Sequence, residues 1–253
     1  MADVFLNVLT RRSLEDRRDG ARILDLLSDH LPLCVPELAG NWEPLHSIEA
    51  SNRAALLTKW SDPFLWRHRI PRCDGNIFMR GPDSDMHAGI YLSSNAGIDA
   101  IPGFASFLQA VAVEFQADLG FVHMLTPEDL ERGRLSGTVS CLDPARQRFY
   151  LSLTTHDLRR GLPDVYWATV FGQPYVQQFG LARLLGAPAN VVKKLSVDLV
   201  YVQLTDAAED LHAEPQKVEK ARDMLKAYLG TRWFIDGTND AAEGGAKFDW
   251  RQT

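Results

Sequence analysis

The sequence predicts an α+β fold, a mostly antiparallel sheet with helices packed on it. Three observations carry that expectation. Helix-like and strand-like stretches alternate irregularly, without the regular strand–helix beat of a doubly wound sheet. Val139–Cys141 and Arg148–Thr154 flank an Asp143-Pro144 turn and read as a hairpin. Phe104, Phe107, Leu108, Val111, Ala112 and Phe115 recur at helical spacing, a stripe that should face a sheet.

Taken in order, Val4–Leu9 reads as a first strand. Ser13 with Asp16 three positions on resembles a capping box, Ile23, Leu24, Leu27 and Leu31 give the helix an apolar face, and Pro32 stops it. Pro36–Leu45 is turn-like, with Gly40, Trp42 and Pro44, and a second helix is expected over Ser51–Trp60. Asp62–Gly75 mixes aromatics with bases and carries no clear period, whereas Ile77–Arg80 reads as a short strand closed by Gly81-Pro82. Ala88–Ser93 and Gly120–Thr126 are strands on either side of the Phe104–Phe115 helix. Leu162–Phe171 reads as an aromatic strand that stops at Gly172 and turns into a helix opened by Pro174. Leu199–Thr205 is a further strand. Pro215 then sits in the first turn of a helix that buries Val218, Ala221, Leu225 and Leu229 and ends at Gly230.

The chain reads as one domain over residues 1–253, with a loose tail at 239–253 from which Phe248 and Trp250 dock back. Residues 85–131 and 164–214 share a strand–helix–strand plan that aligns Thr126 with Thr205. A duplication and two ordinary units fit this equally well, because the helices between align poorly.

Composition narrows the class. The 45% hydrophobic content without a low-complexity tract is that of a globular protein, and a formal charge of -6 argues against a dedicated nucleic-acid binder. Arg11, Arg12, Arg17, Arg18 and Arg22 are interleaved with Glu15, Asp16 and Asp19, which reads as a solvated helix face. Cys34, Cys73 and Cys141 are widely spaced, odd in number and free of any Cys-x-x-Cys pair, so free thiols in a reducing compartment are expected. The first residues lack the basic stretch of a signal peptide, and no apolar run approaches the ~20 residues of a membrane span. The expectation is a cytoplasmic protein without a membrane partner.

No catalytic motif stands out. Asp85-Met86-His87 has neither a second His nor a Cys at ligand distance. His156-Asp157 reads as a turn or cap, and His123, alternating with Phe121 and Leu125, reads as a core histidine. Ser93-Ser94-Asn95-Ala96-Gly97 lacks the nucleophile elbow, with Ser94 or Asn95 reading as a cap. Nucleotide-binding glycine motifs are also missing, so no catalytic residue, metal or cofactor is expected. An enzyme of unrecognised type would have to draw on Asp85, His87 and Ser93. Tyr166, Trp167, Phe171, Tyr175 and Phe179 read as core, and a small-molecule module would need an open cavity among them.

Two acidic loops are the remaining candidates. Glu128, Asp129 and Glu131 follow one Leu-Thr strand end; Asp206, Glu209 and Asp210, with Glu214 beyond, follow the other. If those strands run in the same direction, both loops leave one edge of the sheet and form a binding surface for a basic partner. The competing reading is helix capping, for which Thr126-Pro127-Glu128-Asp129 is well suited.

The strand Val4–Leu9 with its helix, Trp42, the segment Asp164–Gly180 with its Gly-x-x-Tyr-Val-x-x-Phe-Gly, and the following Leu184-Leu185-Gly186-Ala187-Pro188 resemble bacterial immunity proteins of polymorphic toxin systems. The resemblance covers about half the chain, mainly Asp164–Thr205, and departs from the pattern over Asp62–Arg80. It implies a stoichiometric inhibitor of a cognate toxin protein in the cytoplasm of the producing cell, and it brings no active-site residues.

Overall fold

A computed structural model describes residues 3–48, 52–81, 83–143, 148–235 and 245–250. Strand β1 (Val4–Thr10) is followed by α1 (Arg17–His30), the short β2 (Leu38–Gly40) and β3 (His46–Ser47), and α2 (Arg53–Thr58). Next come β4 (Phe64–His68), β5 (Cys73–Phe78), β6 (Ala88–Ser94), α3 (Ile101–Glu114) and β7 (Leu119–Met124). Helix α4 (Pro127–Ser136), a hairpin of β8 (Val139–Asp143) and β9 (Arg148–Leu151), and α5 (Thr155–Arg160) lead to β10 (Ala168–Phe171). The chain continues through α6 (Gln173–Phe179), α7 (Leu181–Leu185), β11 (Val191–Ser196), β12 (Leu199–Gln203), α8 (Asp210–Ala213) and α9 (Pro215–Leu229).

Ten strands form one sheet in the order β11-β12-β10-β7-β1-β6-β5-β4-β2-β3, every neighbouring pair antiparallel. The expected α+β architecture is the observed one. β1 sits in the middle and all seven of its residues are buried, because layers cover it on both sides. Thr10 donates its hydroxyl to the Phe115 carbonyl at the end of α3 on one face. On the other, Asn7 Oδ1 accepts the Leu153 N–H beyond β9. The helical stripe of α3 is realised as read: Phe104, Phe107, Leu108, Val111 and Ala112 are buried. Around Gly172 the backbone of β10 runs so close to β7 that a Cβ would stand 1.9 Å from the Ala117 carbonyl oxygen. Gly180 then takes φ +87° between α6 and α7, and Tyr175 and Phe179 from the helix pack their rings on Phe171. The Gly-x-x-Tyr-Val-x-x-Phe-Gly pattern is therefore a packing device.

Several expectations are corrected. Asp16, not Ser13, caps α1, accepting the Arg18 N–H. The Asp62–Gly75 segment, for all its lack of period, supplies β4 and the start of β5, and the strand expected at Ile77–Arg80 is the end of β5. The aromatic strand is short: Val165, Tyr166 and Trp167 are buried but lie ahead of β10. Cys34 and Cys73, expected as free thiols, are joined in a disulfide with Cα atoms 5.3 Å apart, and both are fully buried. Pairing β4 with β5 brings Cys73 against the turn that follows α1, a proximity that spacing along the chain does not reveal. Arg11, expected on a solvated face, is 6% exposed. The two strand–helix–strand units differ in topology. β6 and β7 run in the same direction with β1 between them, whereas β10 and β12 are antiparallel neighbours. Of the tail, residues 245–250 are described: Phe248 and Trp250 lie edge-on to the His87 ring, as the docking expectation had it. Residues 239–244 and 251–253 lie outside the described part.

Candidate functional site

β7 and β12 both run antiparallel to the β10 strand between them, and so run in the same direction as each other. The loops that follow them leave the same end of the sheet. Of the six carboxylates the sequence places there, Glu128, Glu131, Asp206 and Glu209 are exposed. Asp129 and Asp210 are not, at 7% exposure each.

Asp129 is spent inside the molecule. Its carboxylate accepts the Thr126 N–H at 2.9 Å and the Thr126 hydroxyl at 2.8 Å, closing a capping box at the start of α4. It also meets His123 Nε2 at 2.8 Å, Arg132 at 2.7 Å and Arg222 at 3.0 Å. Burial alone would raise its pKa, but the His123 imidazole and the two Thr126 donors outweigh that and hold it at about 2. Asp210 similarly takes the Lys217 ammonium at 2.8 Å. Asp129 is drawn in by its own helix cap and the bases beside it, whereas Asp210 is held by the Lys217 side chain one helix on.

Asp129 is one corner of a buried ion network. Arg222, 1% exposed, reaches Asp129, Glu219 at 2.5 Å and the Val165 carbonyl at 2.9 Å. Arg132 pairs with Glu219 and with Asp164 at 3.2 Å, and Lys226 also holds Asp164 at 3.2 Å. Burial pushes Glu219 up from the ordinary carboxylate range against the pull of Arg132. The network locks α4, α9 and the segment before β10 together. Nothing in the sequence pointed to Arg222 except its position: it falls on the Val218, Leu225, Leu229 face of α9.

Beside this network, and sharing Glu219 with it, Glu128 and α9 line a groove of about 520 Å³, with Pro215, Gln216, Lys220, Asp223 and Met224 also on the helix side. Met224 is half exposed there.

The remaining candidates are not brought together. His87 Nε2 lies 3.0 Å from Asp118 and His87 Nδ1 lies 2.9 Å from the Thr155 hydroxyl, an acid–imidazole–hydroxyl sequence. The side chain is completely buried under Phe248 and Trp250, and burial lowers its pKa against the pull of Asp118. Arg11 clamps both oxygens of Asp118, donating at 2.8 Å to the one His87 meets and at 3.1 Å to the other, and donates to the Asp249 carbonyl, tying the tail down. Asp85 instead pairs with Arg159 at 2.7 Å, and Ser93 lies near the far end of β6. Asp157 completes a capping box with Thr154, and Ser94 and Asn95 accept nearby backbone N–H groups. His123 is satisfied in the core. Tyr166, Trp167, Phe171, Tyr175 and Phe179 are all buried; Tyr166 stacks on Phe121 at 4.0 Å and Trp167 donates to Thr205. Among the described residues no group of three His, Cys, Asp or Glu side chains is placed to hold a metal ion, and no helix is long and apolar enough to cross a membrane.

Fold and surface together define a class, an α+β protein on a broad antiparallel sheet that gathers carboxylates at one end. No protein-family model matches the sequence, and no curated protein matches it. Among solved structures the chain is similar to the Pseudomonas aeruginosa T6SS protein PA0821. The two are 12% identical, the match covers 88% of this chain and 77% of that one, and the TM-score is 0.52. At that identity the likeness is one of fold.

Proposed function

We propose that this protein is an immunity-type inhibitor that binds a cognate bacterial toxin and blocks it by occlusion. The observation that carries the reading is the common direction of β7 and β12, which leaves Glu128 and Glu131 on α4 and Asp206 and Glu209 in the loop after β12 exposed at one end of the sheet. A partner with a basic surface docks there, steered by complementary charge. The structural neighbour is a T6SS protein, and that context supports the same reading, as does the resemblance carried by Asp164–Gly180. Inhibitor and toxin must share a compartment. The cytoplasmic expectation leaned on free thiols and loses that support with the Cys34–Cys73 disulfide.

The test is capture of the toxin by tagged protein at low and at raised salt, repeated with Glu128→Lys, Glu131→Lys, Asp206→Lys and Glu209→Lys combined. The wild-type chain should take up one toxin domain stoichiometrically and release it as salt rises. The quadruple variant should bind at least about tenfold more weakly, with a flatter salt dependence. Equal affinity in the variant removes the acidic surface from the mechanism. Absence of any toxin partner removes the inhibitor reading itself.

A further inference from the structure

We propose that the groove between the first turn of α4 and the outer face of α9 seats a basic amphipathic segment of the partner, an apolar side chain resting on Met224 and flanking lysines or arginines reaching Glu128 and Asp223. This rests on the inhibitor reading and names the chemistry it would recognise.

Helix α9 is divided along its length. Val218, Arg222, Leu225 and Leu229 face inward and are buried, while Gln216, Lys220, Asp223 and Met224 are exposed on the other side. Pro215 and Met224 give the groove its apolar lining, and Met224, 50% exposed, is the largest apolar side chain in it. A flexible thioether moulds to whatever apolar group meets it, a property suited to a docking surface. The charges select the occupant. Neither Glu128 nor Asp223 has an ion-pair partner among the described residues, whereas Glu219 in the groove wall is already committed to Arg132 and Arg222. An apolar segment without cations would bury the rim carboxylates unpaired, and an acidic segment would meet repulsion. Lys220 also lines the groove and is the one feature there that works against a basic occupant.

The ion network beneath gives the groove a fixed shape before binding. Arg132 from α4 and Arg222 from α9 share Asp129 and Glu219. The separation of the two helices is therefore set without the partner, which lowers the ordering cost of association.

The test uses the full chain and the toxin domain that the wild-type chain captures, with affinity measured by calorimetry at low and at raised salt. Met224→Ala should weaken binding about tenfold, as loss of a central apolar contact does. Glu128→Lys with Asp223→Lys should weaken it more and flatten the salt dependence. Lys220→Glu should tighten it, an outcome that a damaged fold cannot produce. Trp42→Ala, at the opposite flank of the sheet and 78% exposed, should bind as the wild type does. If the Met224, Glu128/Asp223 and Lys220 variants all match the wild-type affinity, the groove is not the seat and the inhibitor reading stands. If the wild-type chain captures no toxin domain, both fall.

Discussion

The two flanks of the sheet are held by different chemistry. On the amino-terminal side, β6, β5, β4, β2 and β3 rest on a covalent and aromatic core: the Cys34–Cys73 disulfide, the indole N–H of Trp66 donated to the Cys34 carbonyl at 3.0 Å, and a run of rings from Trp60 through Phe64 to Trp66. On the carboxy-terminal side, the chain leaving β7 and the chain entering β10 are tied to α4 and α9 through buried charge. Apolar packing tolerates small displacements, while a buried ion network holds only if every member is in place. The candidate groove lies over the flank that is fixed by charge, and its shape depends on those internal pairs.

Breaking the network should have the largest effect. Arg222→Ala removes one of the two arginines shared by the buried Asp129 and the half-buried Glu219, leaving Arg132 to both. It should cost about 4 kcal/mol in urea unfolding, as removal of one partner of a buried pair does. Arg222→Met, which keeps volume but not charge, should recover little of this while Asp129 and Glu219 remain. If it unfolds like the wild type, packing and not charge fixes this flank. Opening the disulfide strikes the other flank: Cys34→Ala with Cys73→Ala should cost about 3 kcal/mol, the order that closing a loop of this size supplies. Thiol titration of the unfolded wild type, before and after reduction, should show two thiols appearing on reduction. An unchanged count would mean the pair is not bonded.

Smaller effects test the contrast through pH. Asp129 is held at about 2 in the fold against an ordinary value of 3.8. Its contribution is therefore complete above pH 4 and lost as pH falls toward 2, amounting to about 2 kcal/mol. Asp129→Asn should remove that acid limb from the stability profile. His87 has the same sign through the opposite charge type. Its folded pKa lies below 6.5, so the fold binds fewer protons than the unfolded chain, and stability should decline as pH drops below that value. A His87→Gln variant that keeps the full wild-type slope between pH 6.5 and 5 would contradict this. The smallest change is expected at the surface: Met224→Ala, Lys220→Glu and the Glu128/Asp223 reversals should move stability by no more than about 0.5 kcal/mol while binding changes.

Legibility in the sequence follows the same division. Helices α3 and α9 are readable because their apolar residues repeat with the helical period and end at clear stops. β4 and β5 are not. Phe64, Trp66, Cys73 and Ile77 face the core, but Leu65, Arg67, Asp74 and Asn76 lie on a half-covered face, so bases and aromatics mix without a visible alternation. β11, Val191–Ser196, escapes a pattern reading because an edge strand with Lys193 and Lys194 exposed has no buried face to give it a period. Lysines there are the usual protection of an open edge. The acidic residues are visible in the sequence, and so is the capping box that turns Asp129 inward onto Thr126; its contacts with His123 and Arg222, and the pairing of Asp210 with Lys217, are not.

Local pattern was enough to settle the α+β class, the main helices and the glycine-bounded helix from Gly172 to Gly180, and it offered capping at Thr126 as one of two readings. These depend on neighbours within a few residues, and the order of residues records them. The common direction of β7 and β12, the burial of Arg11 and Arg222, the pairing of Cys34 with Cys73, and the groove beside Met224 emerge only in the folded chain. Each of these requires groups far apart in the chain to meet, and the free energy of a charge or a thiol depends on who its neighbour is and how much water remains.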